Sequence, residues 1–170
     1  MKNNILLLIM MLLFAQTIEA AVPVIEGAFG IKLGDLPRIE YQKGEVYTKV
    51  GRLYFIDPPV KNDHFSEYAV HVTNRTNKIY SIYAEKEQSA IACNAEILKV
   101  KTSLEKLYGT MTEQNKIYSV RQNEREINLT CKINVKNADN AALHIKYTDH
   151  QIYKDSISEP DPNHRDSSGL

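Results

Sequence analysis

Asp63, His64 and Ser66 are the first residues of this chain whose types could do chemistry together. Hydrolysis by a serine needs a nucleophile touching a base, with the base held by a third group. The three types are present, but they crowd into one polar loop after Pro58-Pro59, and neighbours in sequence rarely converge on one point. No Gly-x-Ser-x-Gly elbow surrounds Ser66. A small secreted hydrolase working through Asp63–Ser66 is therefore the alternative reading, and a solvated loop accounts for the same residues.

Other chemistry-bearing residues are dispersed. His71 and His144 fall on the polar sides of two expected strands and could share a metal only if those strands were neighbours. Glu85, Glu87, Glu96, Glu105 and Glu113 could pair as acid and base only across a cleft of about 5 to 9 Å, whereas most belong to the exposed side of a helix or its flanks. There is no glycine-rich phosphate loop, dinucleotide fingerprint or zinc-ligand spacing, so no cofactor, no metal and no catalytic residue is assigned. The chain has ten Tyr and no Trp. Tyrosine offers a large rigid surface with a polar tip, which suits protein interfaces, and it is also common in strands. Tyr47, Tyr54, Tyr83 and Tyr118 are placed opposite or beside the dry face. Tyr83, Tyr118, His71 and His144 form the expected interaction surface.

Strands must position these groups. From Glu126 to Val135 the odd positions Ile127, Leu129, Cys131, Ile133 and Val135 are apolar and the even ones polar. Side chains alternate across a strand, so this one has a dry and a wet face, as in an antiparallel sheet covered on one side. After the turn-rich link Lys136–Asn140, Leu143, Ile145 and Tyr147 repeat the pattern, with His144, Lys146 and Thr148 facing water. Tyr68, Val70 and Val72 lead through Asn74–Asn77 into a strand carrying Tyr80, Ile82 and Ala84 on one face, which reads as a hairpin. Weaker strands run from Val46 to Ile56, broken by Gly51, and from Ile117 to Arg121. Gly27, Gly30 and Gly34 frame another short strand.

One segment changes period. Ala90, Cys93, Ile97, Val100, Leu104 and Leu107 form a single apolar stripe on a helix of about five turns, with Ser89 as N-cap and Gly109 beyond the C-terminus. Packing of this stripe on the protein's own sheet is expected. Cys93 lies on the stripe and Cys131 on the dry face of the best strand, so both aim at one helix–sheet seam. A Cys93–Cys131 disulfide is predicted. The fold class follows: α+β, an antiparallel sheet with one main helix packed across one face and strands before and after it.

The first twenty residues read as a secretory signal peptide: Lys2, the apolar run Ile5–Ala15, then a more polar stretch ending at Ala20. That run is about half the roughly 20 residues a spanning helix needs, and no transmembrane anchor is expected after cleavage. Residues 21–153 are taken as one domain, and residues 154–170 lack the apolar content to offset their ordering entropy, so a disordered tail is expected. With 21 basic and 21 acidic residues, nothing in the net charge directs the protein to nucleic acid.

The Phe29–Gly34 segment, the Tyr68–Lys86 hairpin and the Cys93 helix ending at Tyr108-Gly109 together resemble small exported Gram-negative bacterial proteins of uncharacterised function. The resemblance would cover most of the mature chain and implies a periplasmic setting. It transfers no catalytic residue. The expected function is that of an exported, periplasmic or secreted, non-enzymatic protein that binds another protein, as an inhibitor, an immunity factor or an envelope accessory factor. The exposed sheet face or the first hairpin loop would make the contact. A small-ligand carrier, with an apolar cavity between helix and sheet, is a further alternative.

Overall fold

Period-two segments dominate the chain, and a computed structural model turns nearly all of them into strands; it describes residues 22–38, 42–48 and 51–158. The expected signal segment, residues 1–20, lies outside the described residues, as do residues 159–170. The fold is α+β. Two short strands, β1 (Gly27–Ala28) and β2 (Ile31–Lys32), pair as a hairpin. Eight more make one antiparallel sheet: β3 (Gln42–Thr48), β4 (Gly51–Ile56), β5 (Glu67–Val72), β6 (Ile79–Ser89), β7 (Thr112–Gln114), β8 (Ile117–Gln122), β9 (Arg125–Asn134) and β10 (Asn137–Asp149). Helix α1 (Ala90–Tyr108) joins β6 to β7, and α2 (His150–Ser158) follows β10.

The strand order β3-β4-β5-β6-β10-β9-β8-β7 describes two meanders joined by α1. The first runs from one edge to the middle. The helix crosses the sheet to the other edge, and the second meander returns until β10 lies beside β6. A helix spanning that distance must lie on one face, which is where its apolar stripe is needed.

Ser89 caps α1 by accepting from the Ala92 N–H at 3.2 Å, and the Gly109 N–H donates to the Glu105 carbonyl at 3.1 Å. Cys93, Ile97, Val100 and Leu104 are buried against β10, β9 and β6. Leu107, expected on the same stripe, is half exposed, and Tyr108 packs against the core in its place. Cys93 and Cys131 form the disulfide, with Cα atoms 5.9 Å apart, and pin α1 to β9.

The N-terminal hairpin covers the rest of this face. Phe29 packs edge-on against Phe65, Tyr68 and Tyr147, at centroid distances of 5.8, 5.0 and 6.2 Å. The single glycine-framed strand expected here is split by a two-residue turn, Phe29-Gly30, with φ of 56° and 76°. Positive φ at both positions is what a tight hairpin matched to strand twist demands.

Two segments depart from the pattern of their sequence. The link Lys136–Asn140 is mostly strand: pairing continues to Asn134 opposite Asn137, with a bulge between Asn137 and Ala141, and Val135-Lys136 alone make the turn. Toward this turn the apolar phase loses its cover: Ile133, beside Ala90 and Asn94 of the first turns of α1, is 50% exposed and Val135 fully exposed. The tail begins as structure: Lys154 to Ser158 complete α2, anchored by Asp149 Oδ1, which accepts from the Gln151 and Ile152 N–H groups at 3.1 and 3.0 Å.

Candidate functional site

The face of the sheet away from α1 carries most of the residues singled out for recognition. Register places Val46, Leu53, His71, Ser81, Thr148 and Glu126 in one row across it. Phe55, Ala69, Tyr83, Lys146 and Asn128 form the next, and Glu67, Glu85, His144 and Thr130 a third. The margin on β3 and β4 is apolar and open, with Val46 48% and Phe55 42% exposed. Toward the middle the face turns polar and half-buried.

Tyr83 and His144 sit together near the centre. The Tyr83 hydroxyl donates to Glu85 Oε2 at 2.9 Å and also meets His144 Nδ1, which lies 3.3 Å from the same carboxylate oxygen. The rings meet edge-on at 5.3 Å. Burial lowers the His144 pKa, Glu85 opposing and Lys132 adding to the shift, while burial and Glu85 raise that of Tyr83. Both side chains are therefore neutral at pH 7. Beside them a groove of about 500 Å³ runs between Glu85, Glu87, His144, Lys132 and the projecting β9–β10 ribbon.

His71 stands two strands away. The β5–β6 register shifts between His71 and Val72: Ser81 lies opposite His71, Ile79 opposite Val72, and Tyr80 is left over as a bulged residue. The bulge turns Tyr80 to the His71 side, where its hydroxyl meets Nδ1 at 3.2 Å. Tyr80 is thus not on the Ile82–Ala84 face that simple alternation predicts, because one inserted residue resets the phase. Burial lowers the His71 pKa to about 4, with Lys146 contributing, and raises that of Tyr80 to about 12. Strands β5 and β10 both border β6, so His71 and His144 are not on neighbouring strands, and the condition for a shared metal is not met.

Tyr118 is placed elsewhere. It pairs with Leu129 on the helix-covered face, and the Lys101 ammonium of α1 lies 5.5 Å from its ring centroid. Tyr54 is buried on that face too, opposite Val70. The side chain of Tyr47 lies outside the described residues. Of the four residues expected to form the interaction surface, Tyr83, His71 and His144 share the open face and Tyr118 does not.

The Asp63–Ser66 loop does not assemble a triad. His64 Nδ1 contacts Glu96 Oε1 of α1 at 2.5 Å, a partner 32 residues away that no sequence spacing announces. Lys99 and His64 together hold the Glu96 pKa below its usual value. The Ser66 hydroxyl donates to the Glu85 carbonyl at 3.4 Å, and Asp63 offers its backbone carbonyl to Lys86 at 3.3 Å. Glu96 and Glu105 are engaged by Lys99 and Lys101 at 2.9 and 2.8 Å, while Glu85 faces the other side of the sheet. A carrier would need a cavity under α1. The space lined by Ala90, Asn94, Ile97, Tyr118, Cys131 and Ile133 is about 170 Å³, below the roughly 300–1,000 Å³ of small-molecule sites.

Among the described residues no helix is long and apolar enough to cross a membrane. Compared with known protein families, curated proteins and solved structures, the chain matches none.

Proposed function

We propose that this is an exported, periplasmic or secreted, non-enzymatic protein that binds another protein through the open face of its sheet, as an inhibitor, an immunity factor or an envelope accessory factor. One observation carries the reading: the exposed apolar margin of Val46 and Phe55 shares a face with the half-buried Tyr83–His144–Glu85 cluster, Phe55 and Tyr83 standing in one row with only Ala69 between them. Protein interfaces share this composition, with aromatic anchors held in place beside a polar rim. The neutral states of Tyr83 and His144 lower the cost of drying the surface, since burying an uncharged, hydrogen-bonded group costs far less than burying a charge. The Cys93–Cys131 disulfide suits an oxidising compartment, as the N-terminal signal pattern suggests.

The test is affinity purification of the disulfide-bonded protein from an envelope extract of its host, beside two variants. Phe55→Asp places a charge in the apolar margin. Lys106→Glu changes an exposed position on the helix that covers the opposite face. A partner recovered at near one-to-one ratio with wild type and with Lys106→Glu, and reduced at least tenfold with Phe55→Asp, is the expected outcome. Equal recovery with both variants, or no partner with any, overturns the proposal.

A further inference from the structure

A second recess opens on the same face, at its boundary with α2. It measures about 420 Å³ and is lined by His71, Tyr80, Lys146, Glu126, Asn128 and Tyr153 among others. That is within the size range of small-molecule sites. Lys146 is its unusual member. It stands on β10 between Tyr83 of β6 and Asn128 of β9. Among the described residues it is the one lysine that is shielded from water yet makes neither an ion pair nor a hydrogen bond. The other lysines without such partners, Lys78, Lys106, Lys116, Lys132 and Lys136, are exposed. Burial lowers the Lys146 pKa, while the charge of Glu126 opposes the shift.

Its surroundings supply donors. The Tyr80 hydroxyl occupies His71 Nδ1, so the neutral imidazole carries its proton on Nε2 when the phenol donates. Asn128 Oδ1 accepts from the Ser119 hydroxyl at 2.5 Å, which leaves the amide nitrogen to donate. The acid in the recess is already engaged: Glu126 Oε2 lies 2.8 Å from His150 Nε2. Tyr153 is the partly exposed aromatic ring of the lining, with its centroid 5.5 Å from that of Tyr80, which is buried.

From this arrangement we infer that the recess is a binding site for a monocarboxylate with a flat apolar body, its carboxylate on the Lys146 ammonium and its body against Tyr153. Lys146 has no ion pair or hydrogen bond of its own, and a single carboxylate would supply both. The Glu126 carboxylate within the same recess disfavours a dianion such as phosphate. The inference does not depend on the protein-binding reading, because the recess and the Val46–Phe55 margin use different residues.

The probe is benzoate, titrated into the full disulfide-bonded protein and followed by NMR through the ring signals of Tyr80, Tyr153 and His71. Saturable shifts with a Kd of about 1 mM or tighter are expected. Lys146→Met keeps the aliphatic length without the charge and should weaken binding at least tenfold. Lys106→Met, at an exposed lysine of α1 over the opposite face, should leave binding unchanged. A thermal melt of each variant confirms folding, and His71→Asn provides a second route by removing a donor but not the charge, with a smaller weakening expected. No saturable shift, an unchanged Kd in Lys146→Met, or tighter binding of inorganic phosphate than of benzoate overturns the assignment.

Discussion

The two faces of the eight-stranded sheet use adjacent residues of the same strands and end in opposite conditions. On the covered face Ile82, Ala84, Ile127, Leu129, Leu143 and Ile145 are almost wholly out of water, beneath α1 and the N-terminal hairpin. One residue along each strand, Tyr83, Glu85, Asn128, Thr130, His144 and Lys146 are half-buried, largely by one another. Apolar side chains under a second layer gain from leaving water, and their contribution scales with the area buried. Polar side chains crowded without a covering layer lose part of their hydration and respond by favouring their neutral forms. His71, His144, Lys146, Tyr80 and Tyr83 all shift in that sense. The covered face therefore supplies stability, and the open face holds groups whose charge state and contacts a ligand or partner can change.

The largest effects are expected from breaking the covered face. Ile127→Ala would leave a cavity in fully buried surroundings, costing about 2–5 kcal/mol in a denaturant titration. Replacing Cys93 and Cys131 together by Ser removes a link across 38 residues of chain. Loop-closure entropy gives about 4 kcal/mol for a loop of that length. A double variant that lost under about 1 kcal/mol would mean that the helix–sheet seam holds without its link.

The open face should reveal itself through pH. Unfolded His71 titrates near its ordinary 6.5, whereas in the folded protein burial takes it to about 4. The unfolded chain therefore binds this proton first as pH falls. The stability that neutral His71 contributes is complete above pH 6.5, declines as pH drops toward 4, and changes no further below that. The shift sets a ceiling of about 3 kcal/mol, and partial exposure reduces it to the order of 1–2 kcal/mol. Glu96, Glu105 and Glu124, whose pKa values lie below 4.5, act lower on the scale, so the interval from pH 6.5 to 4.5 reports on histidines. Across that interval the unfolding free energy of wild type should fall relative to that of His71→Gln by this amount as pH drops. Parallel curves would show that His71 is not desolvated.

How much of this could be read beforehand differs between the faces. The covered face was legible because its signal is periodic. Alternation in β9 and β10 and the Cys93–Leu104 stripe both repeat over several turns or pleats, and two cysteines converging on one seam added an independent constraint. The open face was legible only in part. His71, Tyr83 and His144 follow from alternation, whereas the weak β8 pattern leaves Tyr118 opposite or beside the dry face, and pairing with Leu129 puts it on the covered side. A bulge moves Tyr80 off the face that alternation predicts, and no periodicity announces it. The His64–Glu96 contact joins a loop to a helix, and Lys146 gained its interest from burial among particular neighbours, so neither had a local sequence signature.

The smallest expected effect separates phase from burial. Ile133 has the same alternation phase as Ile127 and Leu129, three pleats along one strand, and pattern alone would rank it as core. It stands 50% exposed beside Ala90 and Asn94 at the start of α1, where β9 and β10 run on toward a bulge between Asn137 and Ala141. An apolar side chain that folding leaves half in water contributes little of its transfer free energy. Ile133→Ala should therefore change the unfolding free energy by no more than about 0.5 kcal/mol, in the range of ordinary surface substitutions. A cost near that of Ile127→Ala would mean the ribbon is covered in solution, by α1 shifting along the sheet or by a second molecule. Measuring the Ile133→Ala penalty at two protein concentrations tells these apart, since only burial against another molecule makes it concentration-dependent.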